Sequence, residues 1–346
     1  MTDALLSPVV GTGFWAGTIT VIGVASRKVR EKILLEEKLV PFMGVLAAFI
    51  FAGQMINFTI PGTGSSGHIG GGMILAILLG PHAGFLAVAS VLTVQALFFA
   101  DGGILALGCN IWNLGFYPCY VAYPLIYRTI AKERASATRL NAASVISAIA
   151  ALQLGAFSVV LQTVLSARSE LPFYSFLLVM QPIHLVIGVV EGFVTAGVVG
   201  YIRTTTKETR DETAVPAYDI RRYFITKKFL IRIAAATLVV GAFMSWFAST
   251  NPDGLEWSLK HAVVSNKIDM PEPGSNSVVK GIQKNITLLP DYGFKNGDSK
   301  NVKEGVRQSW PNVDAGRSLS GILGGVIVLG FVLGIGLLIS KRKKKL

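Results

Sequence analysis

The chain is poor in charge, in cysteine and in histidine, and each shortage excludes something. Asp, Glu, Lys and Arg make up 15% of the 346 residues, against roughly 25% in a soluble globular domain. Disorder requires few apolar residues, and a hydrophobic share of 51% excludes it. Two cysteines, Cys109 and Cys119, cannot staple a secreted fold, and in their apolar stretch they form no metal motif. No Walker sequence is present, so the chain does not power itself with ATP. A serine hydrolase built on Ser66 and His68 is disfavoured, because His68 stands where the nucleophile elbow needs glycine. Two residues apart on one loop is also poor geometry for a nucleophile and its base.

What is present is apolar and rich in glycine, with 37 glycines and a mean hydropathy of +0.55. That is the composition of a polytopic membrane protein. Apolar runs of spanning length lie near 8–25, 39–60, 82–99, 104–127, 140–166 and 173–203, with two more at 229–248 and 318–340. The stretch 69–80 is too short to cross a core of about 30 Å alone and reads as a helix packed inside the bundle. Nothing basic precedes the first run and no Ala-x-Ala site follows it, so a cleaved signal peptide is not expected.

The net charge of +12 is a topology signal. Four clusters (Arg27 to Lys38, Arg128 to Arg139, Arg203 to Lys228, and Lys341 to Lys345) hold 21 of the 32 basic residues. The short loops 61–67, 100–103 and 166–172 hold only Arg168. Positive-inside counting predicts an N-terminus outside and a C-terminus inside, with 69–80 crossing. It leaves no nucleic-acid footprint. The expected fold is all-α: a seven-helix bundle over 1–203, then a polar cytoplasmic linker over 204–226. A two-helix module over 227–346 follows, with an outer segment at 249–317. Its last helix carries Gly321-x-x-x-Gly325 and Gly330-x-x-x-Gly334, which permit close helix packing or reflect the glycine enrichment of membrane helices.

Imidazoles are the best nitrogen ligands available. His68 ends the polar loop Pro61 to Gly67 and precedes Gly70-Gly71-Gly72, a setting that suits a ligand, although a structural hydrogen-bonding histidine is commoner. Gln54, Asn57, Gln95, Asn110 and Asn113 are polar groups within apolar runs, expected to satisfy one another. His184 and Glu191 are seven residues apart on one helical face and read as a polar pair or as part of a transport path. His82 is expected at an inner turn and His261 on a solvated surface.

Specific motifs then appear in order. They are Phe51-Ala52-Gly53-Gln54-Met55-Ile56-Asn57-Phe58-x-Ile60-Pro61-Gly62, Ser66-Gly67-His68, and Leu78-Leu79-Gly80-Pro81-x-Ala83-Gly84. Val94-Gln95-Ala96-Leu97-Phe98-x-x-Asp101-Gly102-Gly103-Ile104 and Gly108-x-Asn110 follow. Over about 3–203 the chain resembles the CbiM/NikM family, the cobalt- or nickel-binding membrane subunits of energy-coupling-factor ABC transporters. His184-x-x-x-Gly188-x-x-Glu191 is similar to the family's last core helix. Asn251-Pro252-Asp253-Gly254-Leu255-Glu256-Trp257 resembles the PDGLE motif of NikN-type small subunits.

The resemblance implies a fused substrate-binding component in the bacterial cytoplasmic (inner) membrane. It implies as partners a transmembrane coupling subunit and two cytoplasmic ATPases. It implies no enzymatic activity and no cofactor, with Ni(II) or Co(II) as transported substrate. The family site is planar, with four nitrogens: the terminal amine, the backbone nitrogen and imidazole of an N-terminal Met-His, and the loop histidine, here His68. This sequence opens Met1-Thr2-Asp3 instead. Aligning Asp3, Leu6 and Pro8 with the family places Met-His two residues upstream, and otherwise Met1 supplies the amine. Nickel and cobalt take the same nitrogens, and the fused tail favours nickel. An ion-gradient-driven transporter and a transporter-like protein that has lost its metal site are the alternatives.

Overall fold

Apolar runs without breakers become helices. The computed structural model describes residues 1–33, 36, 38–132, 135–169, 171–207, 227–262, 277–294 and 311–341. In it α1 spans Pro8–Ile33, α2 Leu39–Gln54, α3 Gly72–Leu79 and α4 Pro81–Phe98. α5 (Leu107–Ile111) runs on through a π-helical stretch, Trp112–Tyr127, into α6 (Arg128–Ile130). α7 covers Ala137–Ser166 and α8 Phe173–Lys207. The later elements are α9 (Lys227–Ala242), α10 (Gly254–Ala262), α11 (Ser277–Ile286) and α12 (Ala315–Lys341). From 208 onward the expected linker lies outside the described residues, as do 263–276 and 295–310 of the outer segment and the basic tail from 342.

Among the described residues, five helices, α1, α4, α7, α8 and α12, are long and apolar enough to cross a membrane. Their surfaces agree: Leu165 is 70% exposed and Leu178 72% exposed. Large exposed apolar patches of this kind mark contact with lipid or a partner. Inside, Phe42, Phe51, Phe85, Phe99 and Tyr127 are fully buried in one continuous core. α3 is buried along all eight residues, as its brevity predicts. Gly80 ends it at φ +80°, and Pro81 starts α4 at once, so the two helices fold back on each other.

Three expectations change. The run 39–60 is not one helix: α2 stops at Gln54, and Phe58–Ile60 becomes strand β1, paired antiparallel with β2, Ser65–Gly67. β-branched Thr59 and Ile60 favour the extended form, and the turn after Pro61 puts Gly62 and Gly64 at positive φ. The run 104–127 contains Pro118 and Pro124, which cannot donate in a regular ladder, and the helix widens to the π form there. The run 229–248 ends as a helix at Ala242 and turns through a short 3-10 stretch, Met244–Phe247.

The two-helix module does not stand apart. α12 lies against α2 and α4, and α9 against α2 and α12. Gly324 faces Phe51 and Phe99, Gly44 faces Leu329, and Gly336 faces Val40. α9 and α12 touch backbone to backbone at Gly241 and Gly321, where a Cβ on Gly241 would lie 3.0 Å from the Gly321 carbonyl carbon. Gly325 sits beside Thr237. A Cβ on Gly330 or Gly334 would meet open space. The first glycine motif makes a close contact. The second reflects composition.

Candidate metal-binding site

His68 follows the β1–β2 hairpin directly and is half-buried. Its Nδ1 lies 3.1 Å from the Ile69 carbonyl oxygen. A carbonyl only accepts, so this contact places the proton on Nδ1 and leaves Nε2 as the lone-pair nitrogen. Nε2 makes no hydrogen bond among the described residues. Metal-ligating histidines have this arrangement, one nitrogen tied to a carbonyl and the other open.

The turn after His68 is held from below. Glu191, on α8 and 3% exposed, accepts from Gly70 N–H at 2.7 Å and from Gly71 N–H at 3.0 Å. These amides lie at and just before the N-cap of α3, so a carboxylate from another helix fixes the entry to it. Gly71 sits at φ +73° against Ile50, which explains why glycine is needed there. Gln54 donates to the Gly70 carbonyl at 2.8 Å, and Gln95 donates to Gln54 Oε1 at 2.9 Å. Glu191 therefore does not pair with His184. The two share a helix, but His184 Nδ1 turns back on the Met180 carbonyl at 2.8 Å. Asn113 and Gln162 bond each other at 2.9 and 3.0 Å.

The N-terminus docks on Gly103 and Asn110. The Met1 carbonyl accepts from Gly103 N–H at 3.3 Å and from the Asn110 side chain at 3.2 Å. Asp3 is buried and its Oδ1 accepts from Ala106 N–H at 2.8 Å. Asn110 and Leu114 lie one helical turn apart, about 6 Å, and a Cβ on Gly70 would meet Leu114 at 3.2 Å. Met1 and the His68 turn thus meet neighbouring turns of one helix.

The 249–317 segment reaches both loops. Ser66 N–H donates to the Pro252 carbonyl at 2.8 Å, and Ser66 Oγ donates to the Asn251 carbonyl at 2.9 Å. Asp253 caps α10 by accepting from Glu256 N–H at 2.7 Å, the Asp-x-x-Glu spacing of a capping box. Burial, then the Asp253 charge, pushes the Glu256 carboxyl above its ordinary range. Gly254 packs on α8: a Cβ there would meet Ile183 at 2.8 Å and His184 at 3.3 Å. The PDGLE residues are thus a cap plus a contact point. Asn57 takes part through its carbonyl, which accepts from Ser249 N–H at 2.7 Å. Farther along, Gln283 donates to the carbonyls of Ala96 and Gly102, both at 2.8 Å.

His82 bonds Tyr120 at 2.9 Å, and His261 stacks on Trp257 at 3.8 Å on an exposed face. Among the described residues, no group of three or more His, Cys, Asp or Glu side chains could hold a metal. Sequence reasoning missed Asp3, Gln283 and the bonding of Ser66. Their partners are main-chain groups, which no side-chain pattern advertises.

This is a multi-pass helical membrane protein whose His68 turn packs one helical turn from the asparagine that holds its N-terminus. The chain belongs to the CbiM family: residues 1–209 match the cobalt uptake substrate-specific transmembrane region, and residues 227–341 match the PDGLE domain. It is 33% identical, over 96% of both chains, to a candidate fused nickel transport protein NikMN of Archaeoglobus fulgidus. It is 27% identical, over 64% of this chain and 65% of the relative, to the cobalt transport protein CbiM of Geobacter sulfurreducens. A crystal structure of a truncated transition metal transporter matches with TM-score 0.52 and 31% identity, over 59% of this chain and 98% of that one.

Proposed function

We propose that the chain is the substrate-binding membrane component of an energy-coupling-factor importer for Ni(II) or Co(II). The observation that carries this reading is the His68 ring, tied through Nδ1 to the Ile69 carbonyl with Nε2 open, at a turn that packs on Leu114, one helical turn from the Asn110 that holds the Met1 carbonyl. Imidazole, amine and backbone nitrogens suit both ions. His68 and the amine at the start of the chain are the ligands. Glu191, Gln54, Gln95 and Asn110 hold the surrounding backbone, and Asn57 and His184 pack beside the PDGLE segment. The N-terminus and the 249–317 segment face outward, and the C-terminus faces the cytoplasm. The energy comes from partner ATPases acting through a coupling subunit. Residues 227–346 serve as a built-in small subunit that bears on both site loops.

Uptake of labelled nickel and cobalt, with and without the partner ATPases, tests the reading. His68→Ala should abolish uptake while leaving membrane insertion intact, and uptake should require the ATPases. Uptake that persists without ATPases would favour a gradient-driven carrier. Failure of the wild-type protein to bind either metal would favour a lost site.

A further inference from the structure

The Ile69–Gly70 peptide connects two groups that do not touch each other. Its carbonyl faces His68 Nδ1 at 3.1 Å, and its N–H points the other way, to Glu191 Oε2 at 2.7 Å. A peptide unit is planar and polarisable, so a carboxylate on its N–H strengthens its carbonyl as an acceptor. The next peptide is gripped in the same way, with Gln54 Nε2 on the Gly70 carbonyl at 2.8 Å and Gly71 N–H on Glu191 Oε1 at 3.0 Å. Both carboxyl oxygens are therefore committed to consecutive amides. Glu191 is 3% exposed.

We infer that Glu191 is a positioning residue for metal capture, fixing the proton of the His68 ring on Nδ1 through the Ile69–Gly70 peptide so that Nε2 is presented to the ion. It relates to His68 as the carboxylate of a carboxylate–histidine–metal triad relates to its ring, with one peptide inserted between them. This inference rests on His68 being a ligand. A helix cap on α3 with no effect on the ring is the competing role, and the two differ in what they do to the imidazole.

The test uses the purified full chain in detergent, with histidine side chains labelled with nitrogen-15. In the metal-free wild-type protein, the His68 resonances should show Nδ1 protonated and Nε2 bare. The opposite tautomer would overturn the inference without any variant. Glu191→Gln, which puts an amide donor against one of the two N–H groups, should mix the tautomers. It should weaken Ni(II) binding about 10- to 100-fold, the range typical of groups that orient a ligand. In a His68→Ala background the same change should have no further effect, because its whole action passes through that ring. Wild-type Ni(II) affinity and an unshifted tautomer in Glu191→Gln would reduce Glu191 to a helix cap. His68→Ala binding Ni(II) as tightly as wild type would instead overturn the site itself.

Discussion

The Tyr292 hydroxyl donates to Asp101 Oδ2 at 2.5 Å, joining the 249–317 segment to the loop whose Gly103 holds the Met1 carbonyl. Stacking of Tyr292 on Phe99 at 5.1 Å secures the same contact from the apolar side. Burial, and then the Asp101 charge, raise the Tyr292 hydroxyl well above its usual range. Its contribution is therefore complete at neutral pH and is lost only in alkali above about 10.

Asp291 behaves differently. Burial and the charge of Asp101 push its carboxyl upward. A raised carboxyl contributes fully below its unfolded value and loses that contribution as pH rises through the folded one. Docking of the 290–292 turn should accordingly tighten on mild acidification. Hydrogen-exchange protection of the Leu288, Leu289 and Asp291 amides, which donate to the Phe98 and Phe99 carbonyls, should be higher at pH 4 than at pH 7, and Asp291→Asn should flatten that dependence. Protection that is equal at both pH values in the wild type would contradict this.

The PDGLE segment offers a sharper lesion. Gly254 has no room for a side chain against Ile183 and His184, so Gly254→Val should lift α10 from α8 and the hairpin. Asp253→Ala should cost about 1 kcal/mol through the lost cap alone. We expect Gly254→Val to impair metal uptake several-fold and Asp253→Ala to have the smaller effect. The reverse order, read in cells expressing equal amounts of each, would show that the cap matters more than the contact.

Much of this was legible in the sequence, for physical reasons. Helices such as α7 and α8 are long apolar runs, and lipid and core both require what the sequence displays. The buried α3 was legible from its length. The partner of Glu191 was not, because it is a pair of backbone amides on a distant turn. Strand β1, Phe58–Ile60, hid at the end of an apolar run, since Phe58 and Ile60 suit a strand as well as a helix end. The PDGLE motif pointed to a family, but only the structure shows its aspartate as a cap and its glycine as a contact.

The glycines of α12 divide in a way that mutation can read. Gly321→Leu should force α12 from α9, at about 1–3 kcal/mol for an overpacked contact. Gly330→Leu projects into open space and should leave stability unchanged or slightly raised, because leucine is the better helix former. Thermal unfolding in detergent compares them. Equal melting temperatures would remove Gly321 from the packing account.

Placing Met-His ahead of Met1 adds an imidazole and a further backbone nitrogen near the docked start of the chain. Metal affinity of the extended chain should rise at least tenfold over that of the sequence beginning Met1-Thr2-Asp3. Equal affinity would show that the ligand set is completed by other groups.

The central claim is that His68 Nε2 holds the ion, and calorimetric titration of purified wild type and His68→Ala with Ni(II) and Co(II) tests it most directly. The expected result is one tight site in the wild type, weakening in acid because imidazole ligates only when neutral, with affinity lost by orders of magnitude in His68→Ala. Equal stoichiometry and affinity in the two proteins would contradict the assignment.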